Sequence, residues 1–353
     1  MSERLRVLVV RLGAMGDVLH AMPAVWALRR QRPEWSIGWV IEPRWAPLLH
    51  VPGGMPGSPA MPMVDAVYPA HARGWARRPL ATETWREMQA LRSTLRAASY
   101  DRAIDLQGAV RSALIGRASG AELVGEAVPR EKPARWFFHH RVPTASVHVI
   151  EQAAEVVSAA TGIVVAPLLP PLPRDAAAEE RAAVMLRGRD PLVLLHPGAG
   201  WGAKRWPAAR YARVAAALRA EGYAVAVNSA PGEEGIADEV VKMSGNAAFA
   251  VSTDLAELIA VTRHSALVIG GDTGPLHLAC ALGKPVVGIY GPTDPARNGP
   301  WGVPFRVLRH PDSRRDHTRR SEPEAGLLTI APEDVAQAAH ELMAESPRSA
   351  VQA

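Results

Sequence analysis

Three stretches of this chain carry residue types that could do chemistry on a phosphorylated ligand. In Val193-Leu-Leu-His196-Pro-Gly198-Ala-Gly-Trp-Gly-Ala-Lys204-Arg-Trp-Pro207, a short apolar run enters a glycine-rich turn that ends in a cation. In Gly270-Gly-Asp272-Thr273-Gly274-Pro-Leu-His277, a second apolar run ends in a turn and a helix start. Gly198, Gly200 and Gly202 let a backbone come close to a ligand, and Pro207 suits a first helical turn. A helix N-terminus offers free N–H groups and a partial positive charge, so a phosphate sits well there. Taken singly, each stretch is also an ordinary strand-to-helix turn. Together in one domain they point to a nucleotide diphosphate.

The third stretch, Gly13-Ala-Met-Gly16-Asp17-Val-Leu-His20, follows the first strand, where open α/β sheets bind ligands. Its glycines lack the G-x-G-x-x-G spacing of dinucleotide sites. Asp17 reads either as an acid stabilising a helix dipole or as a general base facing a cleft. Such a base takes the proton from a sugar hydroxyl while that oxygen attacks an anomeric carbon. His20 and His277 each stand one turn inside a helix, where a packed or surface histidine is the default. Lys204 and Arg205 are a solvated pair or the cation for a leaving diphosphate, in place of a metal. Glu233 and Glu234 are helix-start acids or acceptors for ribose hydroxyls. No His/Cys/Asp spacing suits a metal, and no G-x-S-x-G elbow suggests a nucleophilic triad.

These residues need elements to hold them. The 353 residues suffice for two domains, and 48% apolar with 21% charged content is a globular balance. Strands are expected at 6–10, 35–41, 64–68 and 102–106, with helices at 21–30, 82–98, from 112 to 117, and 147–160. A proline-rich connection at 167–174 and a helix at 176–186 follow. Strands at 192–195, 224–228, 248–251, 266–269 and 286–290 then alternate with helices starting near Pro207, Glu233, Asp254 and Pro275, and a last helix covers 332–343. Residues 312–321 read as charged and irregular. The alternation implies a doubly wound parallel α/β sheet, built twice.

The formal net charge of +5 favours an anionic partner: nucleic acid, a phosphorylated substrate or a membrane surface. The single cysteine, Cys280, lies in an apolar run, excludes an internal disulfide and suits a reducing compartment. No signal-like N-terminus or long apolar span is read, so a cytoplasmic protein is expected, at most peripheral on a membrane. Trp136-Phe-Phe138 between Arg130, Lys132, Arg135 and Arg141 suits an anionic membrane surface, and equally a buried aromatic face.

The chain resembles glycosyltransferase family 9, the bacterial heptosyltransferases of the lipopolysaccharide inner core. The resemblance rests on Met15-Gly16-Asp17-Val-Leu-His20, Asp105-Leu-Gln107-Gly108, His196-Pro-Gly198 through Lys204-Arg-Trp-Pro207, Asp272-Thr273-Gly274-Pro-Leu-His277 and Tyr290-Gly-Pro-Thr-Asp-Pro295. It covers nearly the whole chain in order, and the first half is most similar to heptosyltransferase I. It implies a GT-B architecture, two Rossmann-like doubly wound domains facing across a cleft. The expected division is an acceptor-binding domain at 1–165, a linker and lead-in helix at 166–190, a nucleotide-sugar domain at 191–330, and a helix and tail at 331–353. It further implies ADP-heptose as donor, Kdo-lipid A as acceptor, inversion at the anomeric centre, and neither metal nor cofactor. By the motif match, Asp17 is the base. His196, Gly198, Lys204, Asp272, Thr273, Gly274 and His277 hold the donor, with Glu233 or Glu234 on the ribose and Thr253 lining the adenine pocket. Gly16, His20, Arg73, Arg78, Gln107 and Arg130 face the acceptor. Gln152 stands where the family's first enzyme has an arginine. The rival readings are heptosyltransferase II or another family 9 transferase, and a non-catalytic nucleotide- or RNA-binding protein. No RNA-binding signature is present, so nucleic acid is not expected as a partner.

Overall fold

The computed structural model describes residues 4–313 and 321–345. The chain divides into two compact units, Met1–Arg174 and Asp175–Ala353. In the first, β1 (Arg6–Val10), α1 (Met15–Gln31), β2 (Ser36–Ile41) and β3 (Ala66–Pro69) precede α2 (Ala72–Arg77) and α3 (Thr82–Ala97). Then come β4 (Arg102–Asp105), α4 (Val110–Ala118), β5 (Glu122–Glu126), β6 (His140–Val142) and α5 (Val149–Thr161). The strands are all parallel, in the order β3-β2-β1-β4-β5-β6. Val7 to Val10 are fully buried, as a central parallel strand covered on both faces requires. The order reverses between β1 and β4, so the loops after these two strands part and leave a crevice at their carboxyl ends.

Helix α1 begins six residues before the expected start at 21. Asp17 sits at its third position and accepts a hydrogen bond from the Ala14 N–H at 3.0 Å, which closes the first turn early. Pro23 is therefore interior rather than a first-turn proline. Strands β5 and β6 were not anticipated. β5 is Glu-Leu-Val-Gly-Glu and β6 only His-Arg-Val, too short and too polar to show as apolar runs. The α2 turn and the 3-10 turns Pro43–Leu48 and Lys132–Phe137 were likewise missed.

The second unit opens with α6 (Ala176–Leu186) and β7 (Leu192–His196), followed by α7 (Ala208–Ala220), β8 (Ala224–Ser229) and α8 (Glu234–Met243). Next are β9 (Phe249–Ser252), α9 (Leu255–His264), β10 (Leu267–Gly271), α10 (Gly274–Ala281), β11 (Val286–Tyr290), α11 (Pro295–Asn298), β12 (Phe305–Arg309) and α12 (Pro332–Glu345). The sheet is again parallel, ordered β12-β11-β10-β7-β8-β9. This is the first unit's order repeated, with the reversal now between β7 and β10. Strand β12 was not foreseen. Part of the charged 312–321 segment lies outside the described residues. The boundary between the units falls within the expected linker and lead-in helix at 166–190, and the helix, α6, sends Ala178, Ala182 and Leu186 into the second core. The last helix also belongs there, with Val335, Ala339 and Leu342 buried against α7. Cys280 is buried in α10, which pushes its thiol up to about 12 and suits packing.

Gly38 shows how tightly the first sheet is covered. Tyr68 and Tyr100 cross it edge to face, their hydroxyls 2.8 Å apart, and a methyl at Gly38 would overlap the Tyr100 ring and hydroxyl. Overpacking of this kind costs about 1–3 kcal/mol. Gly38→Ala is expected to lower unfolding stability by that amount in urea titration; an unchanged midpoint would show that the tyrosine pair is free to move aside.

Candidate active site

In the first unit, the loops after β1, β2, β3, β4 and β5 converge at the carboxyl end of the sheet. Arg11 organises them. Its Nε donates to the Asp17 carbonyl at 3.1 Å, one terminal nitrogen pairs with Asp17 Oδ1 at 3.1 Å, and the other reaches the Leu106 carbonyl. Asp17 is one-third exposed, with one oxygen on Arg11 and the other on the Ala14 N–H. Gln107 Oε1 accepts from the Leu12 N–H at 2.7 Å, locking the loop after β4 to the loop after β1. His20 is buried and meets His148 edge to face, with ring centroids 6.1 Å apart.

Beneath this lies Asp105, fully buried at the end of β4. Its Oδ1 accepts from the N–H groups of Gln107 and Gly108 at 2.7 and 2.8 Å, and its Oδ2 from the Ser112 hydroxyl at 2.8 Å. Burial raises the carboxyl to about 6, against those hydrogen bonds and Arg11. Gly108 must be small and left-handed, since a side chain would meet the Arg130 N–H, and its carbonyl accepts from Glu131. Gly16, Asp17, His20 and Gln107 are thus brought together, with Arg130 one loop away. Arg73 and Arg78 are exposed on and after α2, and the Arg73 N–H donates to Glu42 Oε1 at 2.9 Å. Trp75 is buried and tied to Glu87, so it holds α2 to α3.

In the second unit, Lys204 lies in a 3-10 turn after β7. Its ammonium donates to the carbonyl and to Oδ2 of Asp272, at 3.0 and 2.6 Å, and sits 4.8 Å from the Trp201 ring centroid. His277 Nε2 is 2.9 Å from Asp272 Oδ1. Burial alone would raise Asp272, but His277 and Lys204 outweigh it and hold the carboxyl well below the usual range. Lys204 is therefore no lone cation: it is neutralised by Asp272 and keeps one N–H of its three for another acceptor. Thr273 caps α10, and Gly274 opens it. His196 ends β7, buried; burial pushes its imidazole down to about 3, so it is neutral, and no described residue bonds its Nε2. Gly198 and Gly200 face open space, whereas Gly202 is backed by the Ser321 carbonyl.

One and two strands further along the edge, Thr253 donates to Asn228 Oδ1 at 2.7 Å and is buried. Glu234 Oε1 accepts from the Gly232 N–H at 2.9 Å and the Ser252 hydroxyl at 3.0 Å, with its carboxyl lowered by that Gly232 bond first. Glu233 caps α8, exposed, and no described residue pairs with its carboxylate. Sequence reasoning missed Arg11, Glu42, Trp201 and the role of Asp105. Arg11, directly after a buried strand and six residues before Asp17, was the available signal. Among the described residues no group of His, Cys, Asp or Glu could hold a metal.

The family model "Glycosyltransferase family 9 (heptosyltransferase)" matches residues 88–327. The chain is 29% identical over 309 residues to lipopolysaccharide heptosyltransferase 1 of Pseudomonas aeruginosa, covering 84% of this chain and 82% of that one. Its fold is similar to the E. coli heptosyltransferase WaaC solved with ADP, with TM-score 0.78 and 25% identity over 96% of this chain and 100% of that one. The same enzyme with ADP-2-deoxy-2-fluoro heptose gives TM-score 0.74 and 25% identity over 97% and 99%.

Asp105 yields a pH dependence of known sign. Its carboxyl is raised from 3.8 to about 6, so between those values the folded state keeps a proton that the unfolded state has lost. Stability relative to Asp105→Asn is then highest below pH 4, falls by up to about 3 kcal/mol as pH rises to about 6, and stays level above it. Denaturant titrations of both proteins across that range check this; a difference independent of pH would mean the carboxyl titrates normally.

Proposed function

The chain belongs to glycosyltransferase family 9, and from that premise we propose that it transfers L-glycero-D-manno-heptose from ADP-heptose to Kdo-lipid A, as a heptosyltransferase I that inverts the anomeric centre without a metal. The observation that carries this is the order of residues along the second sheet. His196, Lys204, Asp272 and the α10 start flank the reversal between β7 and β10. Glu233, Glu234 and Thr253 follow the next two strands, β8 and β9. A ligand with diphosphate at the first position and ribose and adenine at the second matches that order. The solved relatives holding ADP and an ADP-heptose analogue support the same donor. The similarity to a heptosyltransferase 1 over most of both chains supports that type over heptosyltransferase II.

Asp17 is the proposed base. A carboxylate has about four lone-pair directions, and Arg11 and Ala14 occupy two, so the group is oriented with room to take a hydroxyl proton. The departing diphosphate takes the third N–H of Lys204 and the N–H groups at the α10 start, which offset charge as it develops. Glu233 is the better candidate for ribose, because Glu234 is engaged by its own loop. Gln107, His20 and the arginines belong to the acceptor side.

Mass spectrometry of products from ADP-heptose and Kdo-lipid A tests the reading. One heptose should be added, of opposite anomeric configuration, with the rate unaffected by EDTA. Asp17→Asn should lower kcat by about 10²–10⁴-fold with donor affinity near wild type. Loss of transfer in EDTA with restoration by magnesium, near-normal turnover of Asp17→Asn, or transfer only to an already heptosylated acceptor would each overturn its part.

A lipid-linked acceptor also calls for peripheral contact with the membrane's cytoplasmic face. No described helix is long and apolar enough to cross a membrane. Helices α2, α3 and α4 with the turn Lys132–Phe137 carry nine Lys and Arg against two Glu, more than the chain's whole net charge of +5. Trp85, Leu114 and Trp136 stand among them 54%, 50% and 69% exposed, while Phe138 is buried against Gly125. Cosedimentation with anionic liposomes should therefore be measurable, fall with salt, and weaken in Trp136→Ala. Binding indifferent to lipid charge and salt would exclude this surface.

A further inference from the structure

The first unit holds a further guanidinium beside the Asp17 loop, that of Arg44, which the motifs do not include and which lies near Arg73 of the expected acceptor set. Arg44 follows β2, in the 3-10 turn Pro43–Leu48. Its guanidinium lies over the Trp45 ring, 4.5 Å from the centroid. The Trp45 indole is itself pressed against the loop that leads to Asp17. A side chain at Gly13 would come within 2.5 Å of Trp45 Nε1, so only glycine admits the ring there. That Nε1 is buried, and no described residue accepts its hydrogen.

Glu42, buried one turn earlier, joins the same three segments. Its N–H donates to the Leu12 carbonyl at 3.1 Å, and its Oε1 accepts from the Arg73 N–H at 2.9 Å. Arg44 and Arg73 are thereby held near one another, with Glu42 as the carboxylate beside them. Neither guanidinium forms an ion pair with a described carboxylate, although Glu42 is close enough to act on Arg44. Partial burial, and then the charge of Arg73, lower the Arg44 guanidinium from its ordinary range, with Glu42 opposing. The single carboxylate of Glu42 does not offset two guanidiniums, so the pair keeps a net positive charge that a bound anion can meet. Guanidinium forks bind carboxylate or phosphate through two parallel hydrogen bonds, and an aromatic platform fixes the plane of the fork.

We propose that Arg44, seated on Trp45, and Arg73 form a clamp for an anionic group of the acceptor, a carboxylate or a phosphate, and so set the acceptor's position relative to Asp17. This rests on the acceptor reading given above. Arg44 is a specificity residue here: it orients the acceptor and takes no proton.

The test is steady-state transfer by wild type, Arg44→Ala and Arg44→Lys, together with calorimetric titration of Kdo-lipid A micelles and of free Kdo, which needs no turnover. R44A should raise the acceptor KM roughly ten- to hundredfold, the worth of a charge-assisted hydrogen bond, and leave the ADP-heptose KM and the melting temperature near wild type. R44K keeps the charge without the fork and should recover only part of the loss. Two modified acceptors identify the anion. If it is the sugar carboxylate, a methyl-ester acceptor is poor for wild type and no worse for R44A, and free Kdo binding depends on Arg44. If it is phosphate, dephosphorylated lipid A behaves that way instead. An unchanged acceptor KM in R44A, or equal losses for both substrates with a lower melting temperature, overturns the clamp while leaving the transferase reading intact. Arg44-dependent acceptor binding by a wild-type protein that transfers no heptose overturns the transferase reading and keeps the clamp.

Discussion

A carboxylate taken out of water is costly unless charges or hydrogen bonds replace the water. Each unit of this protein places one at the same point of its fold, at the carboxyl end of the fourth strand, beside the first. In the first unit it is Asp105, at the end of β4; in the second it is Asp272, directly after β10. The two solve the cost in different ways. Asp105 is met chiefly by neutral donors, two backbone N–H groups and a hydroxyl, so burial wins and the carboxyl is raised. Asp272 is met by an ammonium and an imidazole, so burial loses and the carboxyl is lowered. The first arrangement fixes a backbone turn that carries Gln107 and Gly108. The second keeps an ionic cluster where a diphosphate is proposed to bind.

The surrounding elements follow from these anchors. A parallel sheet whose order reverses opens a gap between its first and fourth strands, and loops must fold into that gap without stranding backbone polar groups. In the first unit Arg11 and Gln107 bridge it, joining the loop after β1 to the loop after β4. In the second unit Lys204 bridges it, from the turn after β7 to Asp272 after β10. The bridges thus fix Asp17, through Arg11, in one unit and the Lys204–Asp272 pair in the other.

The repeated α/β pattern and both glycine turns were legible because buried parallel strands are unbroken apolar runs such as Val7–Val10 and Leu192–Leu195. The edge strands β6 and β12 were not, because polar residues interrupt their short apolar runs: His140 and Arg141 in one, Arg306 and Arg309 in the other. The start of α1 was misplaced because its cap is made by a side chain three residues inside the helix, while the capping position itself is Ala14. Asp17, Lys204, Asp272 and His277 stood out as types in motifs. Their pairings did not, since Arg11 with Leu106 and Lys204 with Asp272 lie 95 and 68 residues apart in sequence. The partners of Thr253 and Glu234, Asn228 and Ser252, were hidden for the same reason, lying 25 and 18 residues away in sequence.

The neutralisation of Lys204 bears on how the proposed donor site would work. An isolated ammonium would attract any anion, product included, and would hold ADP as firmly as the sugar nucleotide. Paired with Asp272, Lys204 contributes direction more than net charge: one N–H, fixed by two bonds and an aromatic ring. The N–H groups of Thr273 and Gly274 add dipoles that are likewise fixed before the ligand arrives. Preorganised donors of this kind interact more strongly as negative charge grows on the departing oxygen, and they need no rearrangement to do so. Asp272 thus holds the cation in place and, in the proposed reaction, would temper its pull on the product. In the proposed reaction that combination would favour the transition state over either bound ground state, the condition under which binding groups accelerate a transfer.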